Sequence, residues 1–140
     1  MPIRYFVNNA YTLVAVVCRK CITCMSWITY TTYHLFWECS HTQELWRNIS
    51  NIIKTNDINI ELNYETISLG LHDQKKYKTL INYILLLTKY FIFRCKCLKE
   101  IPNAYHLKHY LHEKIRIEKH RAQRKGATAI QNAKWNNFKL

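Results

Sequence analysis

Apolar positions along this chain recur mostly at helical spacing. From Ser40 onward, Leu45, Trp46, Ile49, Ile52 and Ile53 lay a single apolar stripe along one face of a helix. Ser40 and Gln43 offer a Ser-x-x-Gln capping box at its start, and Asn56 and Asp57 end it. A polar, irregular stretch to Gly70 follows. A second helix is predicted from Asp73, as its N-cap, to near Leu98. Tyr77, Leu80, Ile81, Ile84, Thr88, Phe91, Ile92 and Cys95 form one face, while Tyr83, Leu86, Leu87, Tyr90 and Phe93 make the other side apolar as well. A helix apolar nearly all round requires burial on both sides, and a lone chain of 140 residues has little material to provide it. This predicts a partner surface along residues 73–98, either the rest of a longer polypeptide or a second copy of the chain.

Pro102 and Asn103 break the pattern, and a third helix is predicted from Ala104 to Gln123, with Gly126 just past its end. Its stripe is Leu107, Tyr110, Leu111 and Ile115, with Ile117 at the edge; Lys108, His109, His112, Arg116, Lys119 and His120 share the opposite face. Tyr5 to Val17 mixes β-branched and aromatic residues and reads as a strand or hairpin arm. The expected fold is mainly α: a small metal-bound knuckle followed by three or so helices in a small irregular bundle. Along the chain this divides into an arm (1–17), a metal-binding segment with the first helix (18–56), a connecting stretch (57–72), a helical pair with a basic face (73–125) and a basic tail (126–140).

Composition narrows the partners. Apolar residues make up 49% of the chain, which fits a packed domain and excludes a low-complexity tract. The formal charge is +12, and residues 94–140 hold twelve Lys or Arg against three Glu, a balance of +9. A polyanion would bind that half. The longest apolar stretch, Leu80 to Phe93, carries Asn82, Thr88 and Lys89 and falls short of the roughly 20 residues that span a bilayer, so no integral membrane protein is expected. The start Met-Pro-Ile-Arg-Tyr-Phe-Val-Asn-Asn lacks a signal-peptide pattern, and an intracellular location, nucleus or cytoplasm, is expected.

In a reducing compartment, six cysteines point to metal before disulfides. Cys21, Cys24, His34 and Cys39 follow the order C-x2-C-x9-H-x4-C, and such a set can close a tetrahedral Cys3His site around Zn2+. Spacing alone leaves two substitutions open: Cys18 with Cys21 in place of Cys21 with Cys24, and His41 in place of His34. Cys95 and Cys97, two apart on a helix, point about 200° away from each other and read as ordinary thiols. His106, His109 and His112 read as solvated or phosphate-facing before metal-binding.

The run Tyr33-His34-Leu35-Phe36-Trp37-Glu38-Cys39-Ser40-His41-Thr42-Gln43-Glu44-Leu45-Trp46-Arg47-Asn48-Ile49 resembles the zinc-binding segment that ends the reverse transcriptases of non-LTR (LINE-type) retrotransposons. In that family two Cys precede His-Leu-Phe-Trp-x-Cys and a helix carrying Leu-Trp. The similarity continues through Leu69-Gly70-Leu71, Lys89-Tyr90, Arg94-Cys95-Lys96, Pro102 and Ile115 to Arg121, and covers most of residues 18–122. The resemblance favours Cys21, Cys24, His34 and Cys39 as the zinc ligands and implies RNA or single-stranded DNA as partner, an upstream polymerase portion, and a ribonucleoprotein setting.

The basic stretch Lys114 to Lys125, with Lys108, supplies the expected phosphate contacts: Lys108, Arg116, Lys119, Arg121, Arg124 and Lys125. The chain has only two aspartates and no Tyr-x-Asp-Asp motif, Walker loop or G-x-S-x-G elbow. Reverse transcription and strand nicking need clustered carboxylates for two metals, so no catalytic residue is expected in this chain. The sequence therefore suggests a zinc-stabilised module that binds nucleic acid without sequence preference. A different class stays open beside it: a structural or interaction fragment of a degenerate retroelement whose charge is incidental.

Overall fold

A computed structural model describes residues 21, 24, 31–72, 77–135 and 138–140. Among them the order is a π-helical turn at His34–Glu38, then α1 (Ser40–Thr55), α2 (Tyr64–Leu69), α3 (Lys78–Leu98), α4 (Ala104–Arg124) and α5 (Thr128–Trp135), with no strand. The mainly helical reading holds, with a Cys/His cluster ahead of the helices. The expected arm at 1–17, Cys18 and the expected cap Asp73 lie outside the described residues.

The stripe that predicts α1 is the face it buries: Leu45, Trp46, Ile49 and Ile53 are all within the core. The capping box does not form. Cys39, at φ −59° and ψ 126°, is the N-cap, and no side chain caps the helix. Ser40 already lies inside the helix because the Cys39 N–H donates to the His34 carbonyl (3.0 Å) and the π-turn runs directly into α1.

The stretch expected to be irregular contains α2, one and a half turns long. The Asn63 side chain accepts from the Thr66 N–H at 2.8 Å, which satisfies one of the donors a helix start leaves open. Gly70 closes α2 at φ 82°, a conformation that favours glycine. A Cβ there would also stand 3.0 Å from Oδ1 of Asn82. Asn82 is held in place by the Leu71 backbone, accepting from its N–H at 2.7 Å and donating to its carbonyl at 3.2 Å.

In α3 the predicted inner face is buried, from Leu80 to Cys95, with Leu85 beside it. The outer face divides. Tyr83 and Leu87 pack against the core, whereas Leu86 (59%), Tyr90 (55%) and Phe93 (49%) are exposed. In α4, Leu107, Leu111 and Ile115 are buried and Asn103 caps the start through Tyr105 N (2.7 Å) and His106 N (3.4 Å).

Residues 126–140, read as a basic tail, contain α5 and rejoin the core. Trp135 is buried and meets Tyr83 edge-on at 6.0 Å and Phe138 at 6.1 Å. Beyond α5, the Asn56 side chain exchanges two 2.7 Å hydrogen bonds with the backbone of Lys139. Alanine and tryptophan in Thr128–Trp135 are too sparse to show a helical stripe by themselves; packing on α3 and α4 decides that helix.

Candidate metal centre and basic face

His34 and Cys39 stand five positions apart, and on an ordinary α-helix such positions diverge by about 140°. The π-turn removes that divergence. By bonding the Cys39 N–H to the His34 carbonyl, one wide turn returns the chain to the same side. Thr31 steadies the start: its Oγ1 accepts from the His34 N–H at 3.0 Å and its carbonyl from Leu35 N at 2.9 Å.

The ligand atoms of Cys21, Cys24, His34 and Cys39 all lie within 4.8 Å of one another. Cys21, His34 and Cys39 are buried, and Cys24 is partly so. These four residues lie close enough to bind a metal ion. The Sγ of Cys24 stands 3.4 Å from Nε2 of His34. Bonds of about 2.3 Å to sulfur and 2.0–2.1 Å to nitrogen, at tetrahedral angles, set that edge near 3.6 Å, so the pair fits a shared metal. The arrangement uses Cys21 with Cys24. His41 is on α1, partly exposed and apart from the cluster.

Three features of the site were not read from the sequence. First, Nδ1 of His34 lies 3.5 Å from Oε2 of Glu38, four residues on. A carboxylate on the far ring nitrogen orients a metal-binding histidine and makes it a better donor. Second, the buried hydroxyl of Thr42 donates to the Leu35 carbonyl at 2.9 Å. Third, Nε1 of Trp46 donates to the Phe36 carbonyl at 2.6 Å. Two side chains of α1 thus hold two successive carbonyls of the π-turn, while Leu35, Phe36 and Trp37 pack on the core. The i, i+4 interval of Glu38 was visible in the sequence; the reach of Thr42 and Trp46 back to the turn depends on its π geometry.

The other cysteines stand elsewhere. Cys95 is buried and Cys97 exposed, as their two-residue separation implies. Burial, helped by the nearby Glu100, pushes the Cys95 thiol up, which keeps it protonated and inert. His106, His109 and His112 are exposed and belong to no metal-type cluster among the described residues.

All six expected phosphate-binding residues are exposed: Lys108, Arg116, Lys119, Arg121, Arg124 and Lys125. The fold disposes of the carboxylates of α4 in a specific way. Glu118 faces α5, where Lys134 Nζ lies 2.7 Å from Oε1 and Trp135 Nε1 donates to Oε2 at 3.3 Å. Glu113 pairs with Arg116 at 2.8 Å, so Arg116 is not an isolated cation. Lys89 is spent internally: half-buried, it donates to the Ser68 carbonyl at 3.2 Å, and burial lowers its pKa.

Among the described residues, no helix is long and apolar enough to cross a membrane. No family model matches the chain, and neither a curated protein nor a solved structure is significantly similar to it.

Proposed function

We propose that this chain is a zinc-stabilised, non-catalytic module that binds RNA or single-stranded DNA without sequence preference, and that it derives from the C-terminal end of a non-LTR retrotransposon reverse transcriptase. The metal is read as Zn2+ because three thiolates and one imidazole suit that ion's tetrahedral preference, and four protein ligands leave no position for a reactive water. Its contribution is folding. Cys21, Cys24, His34 and Cys39 would hold it, Glu38 would orient His34, and Thr42 and Trp46 transmit that order to α1.

The observation that carries the nucleic-acid reading is the sorting of charge on α4. Its exposed surface presents Lys108, Arg116, Lys119, Arg121 and Arg124 with His109, His112 and His120, and Lys125 follows at its C-terminal end, while Glu118 is turned away into the α5 contact. A row of cations in which Arg116 alone keeps a carboxylate beside it, Glu113, attracts phosphates through counterion release, which reads no bases.

The test is affinity against salt. Neutralising Arg116, Lys119, Arg121, Arg124 and Lys125 together should flatten the slope of log affinity on log salt, by up to about 0.7–0.9 for each phosphate that no longer meets a cation. An unchanged slope would move the binding surface off α4. Absence of binding at low salt would favour the interaction fragment instead.

A further inference from the structure

Residues 138–140 belong to no helix and lie against the C-terminal end of α1. They are gripped there by their backbone. Oδ1 of Asn56 accepts from the Lys139 N–H, and Nδ2 of Asn56 donates to the Lys139 carbonyl, both at 2.7 Å. One side-chain amide thus satisfies both main-chain polar groups of a single residue, whatever side chain that residue carries, and Lys139 itself is exposed. Asn56 is set for this by its own helix. As the C-cap of α1 it donates its N–H to the Ile53 carbonyl at 3.1 Å, and Nδ2 also donates to the Ile52 carbonyl at 2.7 Å.

The residues on either side of Lys139 are half-buried, and each borders a hollow in the surface. Phe138 borders one of 490 Å3 with Thr55, Ile58 and Tyr77. Leu140 borders a second, of 290 Å3, between α1 and α4, with Ile49, Ile52, Leu107 and Leu111. A backbone grip on one residue, with room for the side chains before and after it, is how a protein surface takes up a short linear peptide: main-chain hydrogen bonds hold it and alternate side chains select it. Both Asn56–Lys139 bonds lie at the surface, where water competes for each partner, so the seated segment is exchangeable.

We infer that Asn56 and the two hollows form a receptor for a short peptide segment with an aromatic and an aliphatic residue two apart, and that residues 138–140 occupy it in cis as a built-in competitor. A partner segment of that pattern displaces them and is held through the backbone of its middle residue. The receptor does not depend on the proposed nucleic-acid binding, although Lys108 borders the Leu140 hollow.

The experiment titrates the full chain with a fluorescent Ala-Phe-Lys-Leu peptide, blocked at both ends, and follows anisotropy together with the Asn56 side-chain amide signal by NMR. Lys139→Pro removes the N–H that Asn56 accepts from and leaves Asn56 and the hollows intact. That variant should bind the peptide about 10-fold more tightly than wild type, the factor expected if the cis segment is seated for about nine-tenths of the time. Adding Asn56→Ala should weaken binding about 5- to 150-fold, the equivalent of two neutral hydrogen bonds. A peptide with proline in place of its lysine should fail to bind, and one with alanine there should bind like the original. A Lys139→Pro chain that keeps the wild-type far-UV spectrum and takes up no peptide overturns the receptor, as does uptake that Asn56→Ala leaves unchanged. Leu140→Gly frees the same site by a second route and should also bind more tightly than wild type. If both variants unfold, residues 138–140 are a fixed part of the core, and the receptor is overturned on that outcome too.

Discussion

Two regions of this small molecule are held together by different means. The bundle of α3, α4 and α5 buries a continuous row of large side chains, among them Leu80, Ile84, Leu85, Ile92, Leu107 and Leu111. Each is removed from water by a neighbouring helix. The turn that precedes α1 has few such residues, and its order comes from directed interactions: four metal-type ligands within 4.8 Å, the Thr42 and Trp46 bonds to its carbonyls, and the 3.5 Å approach of Glu38 to His34. Apolar burial tolerates some loss of any one member. A ligand set does not, because a tetrahedral site lacking one thiolate loses both charge and geometry together.

The sharpest break between the regions is metal removal. Chelation, or Cys39→Ser, should abolish the order of residues 31–39 while leaving most helical far-UV signal from α3 and α4. Structural zinc binding in small peptides contributes about 10–16 kcal/mol, far more than the turn's own side-chain interactions can replace. Trp37 and Trp46 report the change through their emission, since both lie in or against the turn. An unaltered emission spectrum after complete chelation would show that the turn stands on packing, as the bundle does.

The reverse experiment targets the bundle. Ile92 is 1% exposed, and Ile92→Ala should cost about 2–5 kcal/mol through reduced burial and the cavity left behind. At low temperature the variant should still bind one metal ion per chain. Loss of metal stoichiometry in the folded variant would mean that the two regions are one cooperative unit.

A finer comparison uses two buried threonines. Thr42 donates across elements to Leu35, whereas Thr88 donates within its own helix to the Ile84 carbonyl, each at 2.9 Å. Valine at position 42 should cost about 1–3 kcal/mol, because a buried carbonyl loses a partner, and should speed metal loss to a chelator. Thr88→Val should fall within about 0.5 kcal/mol of wild type, since side-chain back-bonding inside a helix adds little. Equal effects in thermal melts and in metal-loss rates would erase the distinction.

How much was legible in advance follows the same division. The stripes of α1, α3 and α4 were readable because apolar spacing is a local property of consecutive residues, and the buried sets are close to those the periodicity picks out. Cysteine and histidine spacing likewise marked the four members of the cluster, because a turn can bring ligands together only over a limited span. Tertiary structure decided the rest. The π-turn that aligns His34 with Cys39 also made Cys39 the cap of α1 in place of Ser40. The six residues of α2 and the eight of α5 are too short to be stable as isolated helices, and each forms only against its neighbours. Which carboxylate of α4 is drawn off its exposed surface is likewise a matter of packing, for Glu118 and Lys134 are sixteen positions apart in the chain and meet only because α5 folds back on α4.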